Sequence, residues 1–196
     1  MMAIDAKMIK DLREETGFGV MDCKRALEEA KGDLNKARAL LKQRGDEIVA
    51  TKSGRVAREG IIASYVHTGG KIGVLVEINC ETDFVARNEI FQAFARDICL
   101  QVTASNPTYL SRTEVPAAVI EEQKQMVATL SEGKPAAILE KIQAGKLEEF
   151  FKSCVLLDQP FVKEPELSIQ AYLDQTLARL GEKIAIRRFI RWELGG

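Results

Sequence analysis

A single histidine, His67, stands in 196 residues, so neither a metal cluster nor a nucleophilic triad can draw on more than one imidazole. No G-x-x-x-x-G-K-[ST] run is present, which excludes a P-loop. No G-x-G-x-x-G follows a strand, and Thr16-Gly17-Phe18-Gly19 is too short for one and lies between helical segments. Charge of one sign is missing too: 28 Lys+Arg against 29 Asp+Glu leave a net charge of -1. A general nucleic-acid binder carries a basic excess, so no direct nucleic-acid partner is expected. No window approaches the ~18 apolar residues of a membrane span, and Met1-Met2-Ala3-Ile4-Asp5 lacks the charged region and apolar run of a secretion signal. A cytoplasmic protein without a membrane partner is expected. The four cysteines, Cys23, Cys80, Cys99 and Cys154, are far apart with no C-x-x-C pair, and buried free thiols are the simpler reading over disulfides. No carboxylate pair sits in an apolar segment that would drive its pKa values apart. Nothing argues for a bond-making enzyme, a cofactor or a metal.

What is present is apolar residue in quantity. At 46% hydrophobic the chain can bury a core without staples, and disorder is excluded. Residues 5–15 put Ile9 and Leu12 on one helical face, and Gly17 and Gly19 break the pattern. Residues 20–31 carry Val20, Cys23, Ala26, Leu27 and Ala30 at helical spacing, and Gly32-Asp33 is a stop followed by an N-cap. Residues 34–44 follow, with Gly45 as their expected end. The three make a compact bundle with a thin core, assigned to residues 1–45. A domain boundary and a polar linker with some helix are expected over 46–58, where Lys52, Arg55 and Arg58 cluster. They could touch an acidic partner, but a solvated charge run is the simpler reading.

The period then changes. Residues 60–67 and 71–80 are β-rich and flank Thr68-Gly69-Gly70, a hairpin signal. Ile72, Val74, Val76, Ile78 and Cys80 share one face. A helix follows with Ile90, Phe91, Phe94, Ile98 and Val102, capped by Asn88 or Asp83 and ended by Asn106-Pro107. From 116 to about 155 the sequence is helical, with breaks expected at Gly133-Lys134-Pro135 and at Gly145. Two projecting antiparallel helices and a packed helical layer are equal readings. After an irregular turn at 157–161 come a helix over 167–180 and a strand over 183–194. That strand's faces divide as Ile184, Ile186, Arg188, Ile190, Trp192 against Ala185, Arg187, Phe189, Arg191, and its three arginines suggest an edge. The predicted class is α+β: a three-helix bundle, then a core over 59–196 of a three-stranded antiparallel sheet with packed helices.

One side chain stands out. Phe84 follows Asp83 on a strand-to-helix connection, where loops lie at the surface. Either it tucks back onto its own helix, which is the simpler reading from the residues alone, or it is presented to insert into a partner.

The run from Leu12 to Leu27 (LREETGFGVMDCKRAL) with Gly32-Asp33 resembles the opening module of the bacterial elongation factor Ts family. The run Asn79 to Asn88 (NCETDFVARN) is similar to that family's second signature, and Gln159 to Val162 and Arg187 to Glu193 to its C-terminal pattern. The resemblance covers residue 5 to the end. It implies a guanine-nucleotide exchange factor for elongation factor Tu, the GTPase that delivers aminoacyl-tRNA to the ribosome. It implies that the opening bundle is ubiquitin-associated-like and docks on the GTPase through Arg13, Val20 and Met21. It implies that Thr82, Asp83, Phe84 and Val85 disturb the partner's Mg²⁺ site and loosen GDP, with His67 a weaker candidate contact. The chain has room for one three-stranded core unit where longer members carry two, and the resemblance implies a homodimer, for which the final strand could supply the interface. A passive adaptor of the ubiquitin-associated type and an RNA-binding translation protein are the rival readings.

Overall fold

The computed structural model describes residues 4–130 and 135–195. Helices α1 (Ala6–Thr16), α2 (Val20–Glu29) and α3 (Leu34–Lys52) come first, then strands β1 (Glu59–Val66) and β2 (Ile72–Cys80). A one-turn helix α4 (Asp83–Ala86) leads into α5 (Glu89–Ser105), followed by α6 (Ala117–Leu130) and α7 (Ala136–Cys154). Strands β3 (Pro160–Phe161) and β4 (Glu164–Ser168), helix α8 (Ile169–Leu180) and strand β5 (Ile184–Glu193) complete the chain. The class is α+β, as expected, with a three-stranded sheet in the order β1-β2-β5. Leu194 at the end of β5 donates to the carbonyl of Lys71 ahead of β2, and Lys183 ahead of β5 donates to the Glu81 side chain just past β2. The two strands therefore run antiparallel.

The chain divides into two compact units: Met1–Ile61, Ile78–Phe94 and Leu173–Ala185 form one, and Ile62–Glu77, Ala95–Tyr172 and Ile186–Gly196 the other. In the first, α1 starts because the Asp5 carboxylate accepts from the Met8 amide at 2.7 Å, and it stops at Gly17 in the left-handed conformation. Asp33 caps α3 by accepting from the Asn35 and Lys36 amides at 2.9 and 3.1 Å. Leu12, Cys23, Ala26, Leu27, Ala37 and Leu41 form the buried centre of the three helices. Helix α3 does not end at Gly45: it runs on to Lys52, so the first part of the expected linker is helical. Gly45 is buried, and a Cβ there would lie 3.4 Å from both the Ala178 methyl and the Phe18 ring. The glycine serves close packing in mid-helix, not termination.

In the second unit Gly145 likewise fails to break a helix, since α7 is continuous from Ala136 to Cys154. Gly145 is exposed with open space beside it, so its penalty of about 1 kcal/mol is borne by the rest of the helix. Of the break at Gly133-Lys134-Pro135, the first two residues lie outside the described ones. Helices α6 and α7 pack on each other through a cluster of Val115, Phe151 and Val155 with Val119, Ile120 and Leu147. Arg112 secures its base, with a bidentate pair to Glu148 at 2.8 and 2.7 Å, a bond to Asp158 at 2.7 Å and its guanidinium over the Phe151 ring.

The turn expected at 157–161 is only partly irregular, because Pro160–Phe161 pairs antiparallel with Glu164–Ser168. A buried amide pair holds this hairpin. Gln101 Nε2 donates to Gln159 Oε1 at 3.1 Å and to the Pro160 carbonyl at 3.2 Å, while Gln101 Oε1 accepts from the Val162 amide at 2.9 Å. Gln159 Nε2 donates in turn to the Ser153 carbonyl at 3.1 Å. Such a network stabilises only when every member is satisfied. Gln159→Leu should therefore lower the unfolding free energy by about 1–3 kcal/mol in urea titrations, because Gln101 loses a buried partner. Wild-type stability in that variant would show the pair to be dispensable.

The two faces of β5 also differ from expectation. Burial alternates through Ile184 and Ile186, but from Phe189 onward the shielded positions are Phe189 and Arg191, while Arg188, Ile190 and Trp192 face solvent. The alternation slips by one residue between Ile186 and Phe189. Arg188 Nε then donates to Glu77 Oε2 at 2.6 Å on the outer side of β2.

Candidate functional site

Strand β2 alternates buried Val74, Val76, Ile78 and Cys80 with outward residues, as the period of two predicts, and delivers the chain to Glu81. The connection after it is not a loose loop. Thr82 is the N-cap of α4, its Oγ1 accepting from the Val85 amide at 3.3 Å. Asn88, not Asp83, caps the helix that follows, its Oδ1 accepting from the Ile90 amide at 2.8 Å. Val85 and Ala86 are buried, and Gln92 Nε2 donates to the Ala86 carbonyl at 2.6 Å. With the next two residues buried, the one-turn helix points Phe84 the other way: its side chain is 82% exposed. It does not fold back on its own helix. Asp83 is exposed beside it and pairs with Arg87 at 2.7 Å.

Two carboxylates fix this turn, and they do so reciprocally. Glu182 accepts from the Thr82 amide at 3.0 Å with one oxygen and from the Thr82 hydroxyl at 2.8 Å with the other. Glu81 accepts from the Lys183 amide at 2.6 Å. Each acid thus grips the backbone next to the other one. Glu81 also accepts from Arg55 Nη1 at 3.1 Å and has Lys52 Nζ at 3.9 Å, while Lys183 Nζ donates to the Ser53 carbonyl at 2.9 Å. Lys52 and Arg55 are thereby paired within the chain, which corrects the expectation of a solvated charge run for these two, while Arg55 stays at the surface and Arg58 is exposed.

The same short segment reaches the turn between α1 and α2. The Arg179 side chain crosses over Gly17, where a Cβ would come within 2.1 Å of its Nε, and Gly17 has φ +72°. The left-handed conformation favours glycine there, and a side chain at this position would have to displace the Arg179 guanidinium. Ala178 lies against Gly45, as does Phe18. Residues 178–183 therefore touch both the helix turn at 17–19 and the Thr82 turn. Just past the first turn, Val20 is 50% and Met21 63% exposed at the start of α2, and Arg13 is exposed on α1. All of these positions and Thr82, Asp83, Phe84 and Val85 belong to the first unit. His67 belongs to the second, exposed at the β1–β2 turn, where its ring Nδ1 shares a 3.2 Å hydrogen bond with the Tyr65 hydroxyl.

Among the described residues no group of three or more His, Cys, Asp or Glu is placed to hold a metal ion, and no helix is long and apolar enough to cross a membrane. All four cysteines are free. Burial pushes the Cys80 and Cys99 thiols up to about 11, so neither is a ready nucleophile. Cys80 instead donates to the Thr82 carbonyl at 3.1 Å, a further tie on the turn. Glu182 escaped sequence reasoning because its partner is 100 residues away and no local pattern marks it.

Glu81 titrates below the ordinary carboxylate value, first because it accepts from the Lys183 amide, with Arg55 and Lys52 adding to the effect and desolvation opposing it. A carboxyl depressed by folding contributes stability above its unfolded value and loses it as the pH falls through the folded one. Glu81→Gln should be less stable than wild type at neutral pH, and the gap should close as pH drops from about 5 to about 3. A gap that stays constant over that range would remove the ionised carboxylate from the account.

The chain matches the family described as Elongation factor TS over residues 20–196. It is 53% identical over 194 residues to Elongation factor Ts of Carboxydothermus hydrogenoformans, which covers 98% of this chain and 89% of that protein. It is 51% identical over 195 residues to Elongation factor Ts of Thermodesulfovibrio yellowstonii, covering 99% and 98%. To Elongation factor Ts of Acetivibrio thermocellus it is 50% identical over 194 residues, covering 98% and 90%.

Proposed function

Because this chain belongs to the elongation factor Ts family, and so to the translation elongation factors, we propose that it binds GDP-loaded elongation factor Tu and speeds the release of GDP. The observation that carries the reading is Phe84, a large apolar ring held in water by a fixed turn while its neighbours Val85 and Ala86 are buried. A single large exposed aromatic on a rigid support is the anatomy of an insertion hot spot.

The mechanism needs no covalent step. The bundle of α1–α3, read as ubiquitin-associated-like, docks through Arg13, Val20 and Met21 on the partner's nucleotide-binding domain. Phe84 then inserts between helices next to the partner's Mg²⁺ site, with the exposed Thr82 and Asp83 beside it and the buried Val85 anchoring the turn from within. Asp83 competes for the contacts that order the metal-side helix, and His67 adds a weaker contact. Mg²⁺ bridges phosphate and protein oxygens and demands near-ideal geometry, so a small shift of one helix raises the off-rate of GDP. By linkage, the factor and GDP each weaken the other's hold on the GTPase equally. The factor makes and breaks no bonds and works in the cytoplasm. A passive adaptor of the same architecture would bind but leave GDP release unchanged, and an RNA binder would show steeply salt-dependent RNA affinity.

Phe84→Ala should cut the acceleration of fluorescent GDP-analogue release from elongation factor Tu by more than about tenfold with the fold intact. Normal exchange by that variant would end the insertion reading.

We further propose that the chain acts as a homodimer through β5 and the outer side of its sheet. Ile62 at 68%, Trp192 at 55% and Ile190 at 44% exposure, with Leu75, make that side apolar around the Glu77–Arg188 pair. Ile62, Leu75, Phe189 and Ile190 line a groove of about 320 Å³ there. A self-complementary apolar side on an edge strand pairs across a two-fold axis. Light scattering should give twice the 21.8 kDa chain mass, and Trp192→Arg should halve it. A wild-type monomer at the concentrations used in exchange would refute this.

A further inference from the structure

We propose that Glu182 is a positioning residue for exchange, setting the direction in which the one-turn helix presents Phe84. The proposal rests on the reading of Phe84 as the inserting group. Helix α4 has four residues, too few to hold its own orientation. Its internal bonds are long: Ala86 to the Thr82 carbonyl at 3.2 Å, Arg87 to the Asp83 carbonyl at 3.3 Å, and the 3.3 Å cap. Its shorter ties come from outside, at Ala86 from Gln92 and at Thr82 from Glu182 and, on the carbonyl, from the Cys80 thiol.

On the side from which the chain enters, Glu182 supplies the two charge-assisted ties, beside the weaker one from the Cys80 thiol. Both its oxygens are spent on one residue, so Thr82 is fixed in position and in rotation, which a single bond would not achieve. The hydroxyl that donates to Glu182 also accepts from Val85, so the carboxylate holds the cap in its capping rotamer. Gly181 in the left-handed conformation ends α8 by donating to the Leu177 carbonyl at 2.8 Å, and this turn brings Glu182 to Thr82. The grip is anchored, because Lys183 next to it is held by Glu81 and Arg179 before it lies across Gly17. The inserting ring is thus aimed by a residue that sits on the segment contacting the docking turn.

The test is stopped-flow release of a fluorescent GDP analogue from elongation factor Tu, titrated with the full-length chain. Amide hydrogen exchange of residues 82–87 is followed in the free protein. Glu182→Ala should lower the maximal release rate and speed exchange of those amides by about tenfold, since two charge-assisted bonds are lost. The half-saturating concentration should stay near wild type, because Arg13, Val20 and Met21 are untouched. Glu182→Gln should restore most of the rate, its carbonyl accepting from the Thr82 amide and its amide donating to the hydroxyl. If Glu182→Ala does not fold, Thr82→Val, which removes the hydroxyl's bonds to Glu182 and to the Val85 amide and leaves the backbone arm, must still lower the maximal rate. A wild-type maximal rate in Glu182→Ala, or in Thr82→Val where Ala fails to fold, overturns the proposal. So does a changed half-saturating concentration with an unchanged maximum, which would make Glu182 a docking residue. If the wild-type chain itself fails to accelerate release, the Phe84 reading falls and takes this one with it, before any variant is measured.

Discussion

A phenylalanine ring can be kept in water next to a buried valine only if the backbone on either side is fixed by forces other than the ring's own packing. Here two acids do the fixing. Glu81, at the end of β2, holds the Lys183 amide, and Glu182, just ahead of β5, holds Thr82. The sheet ladder stops at this point, and side-chain carboxylates take over the pairing that backbone carbonyls provide further along. Charge-assisted bonds to backbone N–H groups are about twice as strong as neutral ones, which suits a junction at the protein surface. The Arg55, Lys52 and Ser53 contacts extend the same junction to the end of α3.

This arrangement gives the first unit the properties of a tool and not of a flexible arm. The segment 178–183 touches the turn at Gly17, the packed Gly45, the Thr82 turn and the end of α3. On the proposed reading, docking free energy is spent on distorting the partner, and a slack connection between docking and insertion would dissipate it. The near-zero net charge fits a factor that recognises a protein surface by shape and apolar contact and not by long-range attraction.

Much of the fold was legible in the residues because its signals are local. Gly32-Asp33 marked a helix boundary, Thr68-Gly69-Gly70 the hairpin, and the alternation from Ile72 to Cys80 the buried side of β2. Most of the failures come from contacts between residues far apart in the chain, which overrule local cost. Gly45 reads as a stop but is a packing notch for Ala178 and Phe18, and Gly145 is simply tolerated within α7. The hairpin at 160–168 is too short to announce itself and depends on Gln101, 58 residues before Gln159. The slip in β5 is invisible because a one-residue change of phase leaves the composition unchanged. At the site, Phe84 was noticeable as an aromatic on a connection, but its exposure was not legible, since that depends on Val85 and Ala86 turning inward. Lys52 and Arg55 looked solvated because Glu81, their partner, is separated from them in the chain.

The central claim is that the side chain at position 84 is open in the free protein and becomes enclosed by the partner. It is tested most directly by placing the chain's one indole there, with Phe84→Trp combined with Trp192→Phe, and measuring acrylamide quenching of its fluorescence. The account predicts strong quenching in the free protein and protection when GDP-loaded elongation factor Tu is added. An indole already shielded before the GTPase is present, or one still open in the complex, would contradict it.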